Sequence, residues 1–458
     1  MNLFFAEFRQ LAKLSFPILI AQLALAGLGV VDTIMAGQVG TDDLAAIGLG
    51  SSILFPVMML SVGVLIILTT LVAKQFGENN ITQIQVFFQQ AIWLAIPLGI
   101  LIFFLLVNSD WVLDFLSLSN NVYQLTDDYL FYIAFGLPAL SIAFVFRFFW
   151  EGLGLTLPTM WISILTILVN VPLNAIFIYG WGPVEAYGAA GCGIASAITM
   201  WTMLLVSIIY AVRSKKITPY LKLNSNLRKM TAPVWKNGLE EILSLGIPNT
   251  FALLFEVSLF SFIALFIAVL GTDVIAAQQV GVSYTSLLFM IPLSISIAIT
   301  IRVGHAYGNG SKQKIYIRIY SGLLMAFIVG VFSAILTYLI REPIVSLFTD
   351  DINVIVIAVG LLSIAAIYQV FDAIQVACSG ILRGLQNTKI IMQVTFICYW
   401  GIGLGGGYLM AFTNIIFEPV GVKGFWYAIV IGFLTAALIL LFAVIRQLKQ
   451  LEKKGEII

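Results

Sequence analysis

The 458-residue chain is 61% hydrophobic and only 10% charged, with a mean hydropathy of +1.05. A soluble chain carries roughly 25% charged residues, so most of this surface faces lipid. A net charge of +1 leaves no basic domain for nucleic acid. Cys192, Cys378 and Cys398 lie in apolar runs without CxxC spacing and read as packing residues, and a single histidine, His305, excludes a multi-histidine metal site.

In chain order, the first apolar run, Leu14 to about Ala36, is long enough to span a bilayer. No small-residue cleavage site follows it, so it is expected to stay as the first helix. Eleven further runs of spanning length follow, giving centres near residues 25, 60, 97, 140, 168, 200, 257, 290, 328, 366, 400 and 435. The odd-numbered loops between them hold only Arg341 and Lys423 of the 23 basic residues. The stretch around 213–241 carries Arg213, Lys215, Lys216, Lys222, Arg228, Lys229 and Lys236. Basic loops stay on the cytoplasmic side, so both termini and this central linker are expected there.

The chain repeats itself. Gly40-Thr41-Asp42-Asp43-Leu44-Ala45-Ala46 matches Gly271-Thr272-Asp273-Val274-Ile275-Ala276-Ala277 at an offset of 231, which also pairs Pro17 with Pro248 and Thr69 with Thr300. At 232, Glu151-Gly152-Leu153 pairs with Arg383-Gly384-Leu385. The expected organisation is an N-terminal lobe at 1–213, a linker at 214–240 and a C-terminal lobe at 241–458, with six helices per lobe. An even number of helices starts both lobes on the same side. The expected fold is therefore an all-α membrane protein of twelve transmembrane helices, in two parallel lobes related by a pseudo-two-fold axis along the membrane normal. Two such lobes suit a cleft that opens to one side at a time.

Three acids fall inside the spans: Asp32 in helix 1, Glu256 in helix 7 and Asp372 in helix 10. An ionisable side chain at mid-bilayer costs roughly 2.5–3.5 kcal/mol. No Lys or Arg lies deep in a span; Arg147, Arg302 and Arg383 sit towards cytoplasmic helix ends, where snorkelling is expected. Each acid must then carry a proton, hold a cation or line water, as suits a cation-coupled carrier. None has an acidic counterpart in the other half. Asn170 and Asn174, one turn apart around Pro172, share a helix face. With the carbonyl that Pro172 frees and with Asp32, they compose an oxygen cage for a hard cation; the alternative is that they satisfy the proline kink. Phe289, Tyr368 and Phe371 are the aromatic candidates for a substrate cavity, where rings stack on a planar cation. No P-loop, HExxH, GxSxG or glycine-rich nucleotide motif occurs in a fitting context, so neither an enzyme nor a cofactor is expected.

Twelve helices in two parallel sixes, the stretch Val31-Asp32-Thr33-Ile34-Met35-Ala36-Gly37 with the Gly40–Ala46 segment, and Gly380-Ile381-Leu382-Arg383-Gly384-Leu385-Gln386-Asn387-Thr388 together resemble the multidrug and toxic compound extrusion (MATE) family over essentially the whole chain. Glu256 and Asp372 look like its NorM-type branch. The resemblance implies efflux of small organic cations, drugs and dyes, across the cytoplasmic (inner) membrane by a monomer, driven by Na⁺ or H⁺. It carries a cation site in the C-terminal lobe to Glu256 and Asp372, with Phe289 at an aromatic position beside it. It carries the other site to Asp32, Asn170, Asn174 and Ser196; some relatives have Asp in place of Asn174 and Thr in place of Ser196. Beyond a sodium ion at Glu256 and Asp372, no metal is implied. Three rival readings remain: a flippase for a lipid-linked precursor, which needs basic cavity residues; a membrane enzyme, for which the paired acids Asp127-Asp128 and Asp350-Asp351 sit on outer loops; and a channel.

Overall fold

The computed structural model describes residues 2–114, 116, 118–221, 232–415 and 418–457, so Lys222, Arg228 and Lys229 of the expected linker lie outside the described residues. Among the described residues, eleven helices are long and apolar enough to cross a bilayer, and a bent pair makes twelve. In order they are α1 (Asn2–Gly37), α2 (Thr41–Gly77), α3 (Ile81–Val107), α4 (the pair Asn120–Ala134 and Leu137–Gly152), α5 (Leu157–Tyr179), α6 (Ala189–Arg213), α7 (Trp235–Leu270), α8 (Thr272–Gly308), α9 (Lys312–Ser346), α10 (Ile352–Gly384), α11 (Lys389–Phe412) and α12 (Val422–Lys453). Among the described residues the only extended pairing is the bridge between Trp181 and Val184. Lipid offers no partner to backbone N–H and C=O groups, so each crossing satisfies them internally as helix.

Prolines shape these helices. The two segments of α4 meet at 47°. Pro138 opens the second segment at its second position, where the missing N–H is one a helix start leaves unpaired anyway. Gly136 at the bend approaches α6 so closely that a Cβ there would lie 2.8 Å from the Ala197 Cα. Pro17, Pro56, Pro97, Pro172, Pro248 and Pro292 lie within continuous helix. Asp43, in the first turn of α2, accepts the Ala189 N–H at 2.7 Å and so satisfies a donor that the start of α6 leaves without a partner in its own helix.

Two compact units emerge, Pro17–Thr250 and Met1–Phe16 with Phe251–Ile458. The first has a core around Phe87, Phe149 and Trp150, and the second around Tyr399, Phe425 and Trp426. Both boundaries fall inside continuous helices, directly before Pro17 in α1 and shortly after Pro248 in α7. Each unit therefore holds the first turns of the helix that continues into the other. Leu11 is fully buried in the core of the second unit, and Ile242, its repeat equivalent, is fully buried in that of the first. Glu7 anchors its end of α1 to the second unit through a two-pronged ion pair with Arg302 (2.6 and 2.5 Å) and a longer contact to Arg318.

One hydrogen bond recurs in both units. The Thr69 hydroxyl donates to the Phe148 carbonyl at 3.1 Å, and the Thr300 hydroxyl donates to the Gly380 carbonyl at 2.9 Å. Beside each bond a glycine, Gly152 or Gly384, brings the backbones so close that a Cβ would stand 2.9 Å from the Thr69 or Thr300 carbonyl oxygen. Small residues at such crossings are how helices associate where lipid is as apolar as the side chains.

The arginines correct one expectation: Arg147 and Arg383 do not snorkel but are buried. Arg147 donates to Glu151 at 2.9 Å and to Gln22 at 2.7 Å, and Thr159, held by the Trp150 indole, donates to the same Glu151 oxygen. Lipid on the outside of the unit leaves the guanidinium no cheaper partner than a buried carboxylate. Removing one member of a buried pair typically costs 3–5 kcal/mol, because the other charge is stranded. Glu151→Ala should therefore lower thermal stability in detergent sharply, and Glu151→Gln, which keeps an acceptor for Arg147 and Thr159, should lower it less. Melting of Glu151→Gln equal to wild type would show that the pair contributes no more than its hydrogen bonds.

Candidate functional site

Within the unit Pro17–Thr250, three helices bring together the residues expected for one cation site. Asp32 enters from α1 and is 6% exposed. Asn174 of α5 donates its amide N–H to Asp32 Oδ1 at 2.7 Å and to Asn170 Oδ1 at 3.1 Å. Ser196 of α6 donates to Asp32 Oδ2 at 3.3 Å. Pro172 stands between the two asparagines, which share the buried face of α5. The neighbourhood is rich in oxygen, and one oxygen lacks a partner: Asn174 Oδ1 is fully buried and accepts no hydrogen bond. A buried acceptor left alone is costly, and a cation, a water or a protonated group relieves the cost.

Two further residues belong to this cluster. The Cys192 thiol, one turn before Ser196 on α6, is within hydrogen-bonding reach of Asp32. Tyr129 of α4, bonded to Ser51, is fully buried within electrostatic reach of the same carboxylate. Cys192 read as packing in the sequence; its four-residue spacing from Ser196 was the available signal.

In the unit Met1–Phe16 with Phe251–Ile458, Asp372 of α10 is 7% exposed. Its Oδ1 accepts from Gln375 Nε2 at 3.0 Å, and the same amide nitrogen donates to the Tyr399 hydroxyl at 2.7 Å. Glu256 of α7 lies within electrostatic reach of both Asp372 and Arg383, yet makes no hydrogen bond to the described residues. The two acids are thus near neighbours, with no hydrogen bond between them among the described residues. Like charges confined together attract a cation. Arg383, buried at the end of α10, is a basic group nearer to Glu256 than the sequence implied.

The three aromatic candidates separate. Tyr368 is buried in the core against Trp426 and Phe433, with ring centres 6.0 and 5.4 Å away, and its hydroxyl reaches Thr285. Phe371 is half-buried against the same core, and Phe289 of α8 is half-buried. Gln375 and Tyr399 went unread in the sequence. Gln375 follows Asp372 by three residues, a same-face spacing, whereas nothing local marks Tyr399.

Comparison with known proteins supplies the context of these clusters. The MatE family model matches residues 17–176 and 248–409, two stretches that begin at the repeat-related prolines Pro17 and Pro248. The chain is 38% identical over 437 residues to the multidrug resistance protein NorM of Aliivibrio fischeri, covering 95% of this chain and 93% of the relative. It is 38% identical over 451 residues to the multidrug resistance protein MdtK of Yersinia pseudotuberculosis, covering 98% and 97%. Among solved structures, the eukaryotic MATE transporter AtDTX14 superposes with a TM-score of 0.87 at 19% identity over 99% of both chains. The Vibrio cholerae MATE transporter VcmN in its bent form gives 0.85 at 18% identity, over 98% of this chain and 99% of VcmN. With the family model matched in both repeats and relatives alike along nearly their whole length, the chain belongs to the MatE family of multi-pass membrane transporters.

Proposed function

We propose that this protein carries out multidrug efflux as a cation-coupled antiporter, exporting organic cations across the cytoplasmic membrane in exchange for Na⁺ or H⁺. The observation that carries the reading is the Asp32 cluster: a buried carboxylate ringed by Asn170, Asn174 and Ser196, with Asn174 Oδ1 left without a donor. A carboxylate with neutral oxygens around it suits a hard cation. Asp372 with Glu256 supplies a second acidic site. The relatives' names as multidrug resistance proteins support the drug side of the exchange.

In this reading the chain works as a monomer of two six-helix lobes, 1–213 and 241–458, joined at 214–240, with both termini in the cytoplasm. The cation and the drug compete for the same negative charge. Ion uptake from outside discharges the drug, and ion release inside readies the carboxylates for the next drug molecule. Coupling requires that the two ligands prefer opposite states of the carrier.

The test is efflux of a fluorescent organic cation from loaded, energised vesicles of defined orientation, under a sodium gradient or a proton gradient imposed separately. Acceleration by one gradient establishes antiport and names the ion. Acceleration by neither, with the protein folded and inserted, rejects drug–cation exchange and turns attention to a lipid-linked precursor as cargo.

A further inference from the structure

The three cysteines are all buried, but one stands apart. The Cys192 thiol donates to the Asp32 carboxylate, whereas Cys378 and Cys398 have no carboxylate within hydrogen-bonding reach among the described residues. Cys192 and Ser196 are four residues apart on α6, so one helix face presents a sulfur and a hydroxyl oxygen to the same acid. Gly193, next to the cysteine, lets α6 approach α4 so closely that a Cβ there would stand 2.7 Å from the Tyr129 carbonyl oxygen. The backbone that carries the thiol is thus held by a neighbouring helix.

Asn174 supplies an independent mark of a ligand. Its Nδ2 is committed to Asp32 Oδ1 and to Asn170 Oδ1, while its own Oδ1 is fully buried without a donor. Both N–H groups of the amide are used, so turning it over would break two bonds, and the bare oxygen stays on the side chain that touches Asp32.

Charge balance decides what such a set can hold. A buried cation needs an equal counter-charge beside it. Asp32 alone neutralises a monovalent ion, with the thiol still protonated. A divalent ion needs a second anion. Cys192 supplies it more readily than Tyr129, because a thiol ionises more easily than a phenol. Sulfur then selects among divalent ions. Magnesium and calcium take shells of oxygen, whereas zinc and cadmium accept thiolate together with oxygen. Among the described residues no three His, Cys, Asp or Glu side chains converge to hold a metal. The shell is therefore half anionic and half neutral: Cys192 Sγ and an Asp32 oxygen, with Ser196 Oγ and Asn174 Oδ1.

We propose that the Asp32 cluster is also a binding site for a thiophilic divalent cation, held by Cys192 and Asp32 and completed by Ser196 and Asn174. The metal takes the place of the coupling ion and so blocks exchange. This rests on the reading that the cluster takes cations, and its primary readout is metal binding rather than transport. On binding, the S–H bond breaks, its proton passes to water, and the electron pair left on sulfur forms the bond to the metal. No group is oxidised or reduced.

The experiment titrates the reduced, purified full chain in detergent with cadmium alone. Binding is read by equilibrium dialysis and by the ultraviolet charge-transfer band of a cadmium–thiolate bond. The expected result is one band-forming cadmium per chain. In Cys192→Ser the band should vanish and the affinity should fall by more than about a hundredfold, beyond the roughly ten- to hundredfold that losing an outer partner of a metal ligand costs. Asp32→Asn keeps the thiol and should weaken band-forming binding by at least as much, and it decides the matter if Cys192→Ser fails to fold.

A band that persists in Cys192→Ser belongs to Cys378 or Cys398 and overturns the proposal. So does unchanged affinity in Asp32→Asn, and so does a folded wild-type chain that binds cadmium only without the band, on oxygen alone, or not at all. Gradient-driven efflux from proteoliposomes of the same preparation separates this inference from the antiport reading. A carrier that forms the band but that neither gradient drives loses antiport and keeps the metal site; driven efflux without the band does the reverse. Where both are seen, efflux should slow as the band grows, and efflux untouched at saturating cadmium overturns the shared site.

Discussion

Asp32→Asn is expected to reduce gradient-driven efflux to the level of vesicles without protein, while leaving expression, insertion and melting temperature near wild type. The substitution is nearly isosteric. The oxygen of the new amide still accepts from Asn174, and its nitrogen finds the Ser196 hydroxyl as an acceptor, so the hydrogen bonds seen at 2.7 and 3.3 Å have successors. What disappears is the charge. A unit charge at about 4 Å is worth about 4 kcal/mol at an effective dielectric of roughly 20, close to a thousandfold in cation affinity. A protein that melts normally but does not transport places Asp32 in the ion step. Wild-type efflux from Asp32→Asn would leave the cluster around Asn174 as a structural device for the kink at Pro172.

The companion change, Asp372→Asn, should also abolish drug efflux with normal protein level and membrane insertion. Gln375 still donates to the amide oxygen, so the bridge to Tyr399 survives and the packing around Tyr368 is undisturbed. Two carboxylates lie within electrostatic reach of each other here, and Asp372→Asn leaves Glu256 without its acidic neighbour. The remaining acid then holds a cation with half the charge. Initial rates measured under a saturating gradient of either ion should both fall to background. Wild-type efflux would remove Asp372 from the mechanism and leave Glu256 to carry the second site alone.

How much of this was readable in the residues depends on how locally each feature is encoded. The twelve crossings were legible because apolar length alone decides whether a segment partitions into lipid. Asp32, Glu256 and Asp372 stood out because charge inside such a segment is costly, and Asn170 with Asn174 because four residues return a helix to the same face. Ser196 came only with the family resemblance. Gln375 hid because neutral polar side chains in spanning helices are unexceptional. Tyr399 hid because its position depends on a widened helical turn that shifts every later side chain around the axis. The buried pair of Arg147 and Glu151 was misjudged for a related reason: closeness to a helix end says nothing of whether the neighbouring helices cover it.

The exchange of helix ends was equally hidden, since the apolar pattern of α1 is the same whichever core receives it. It bears on how the chain is made at the membrane. The segment carrying Glu7 and Leu11 is synthesised well before its partners, since Arg302, Arg318 and the core around Trp426 come hundreds of residues later. The core that receives Ile242 likewise stays open until residues 241–250 have left the ribosome. Biogenesis thus cannot finish one half before starting the other. The segment around Glu7 and Leu11 must wait, unclaimed, until those later residues emerge, and neither core is complete before residues from the other half of the chain are made.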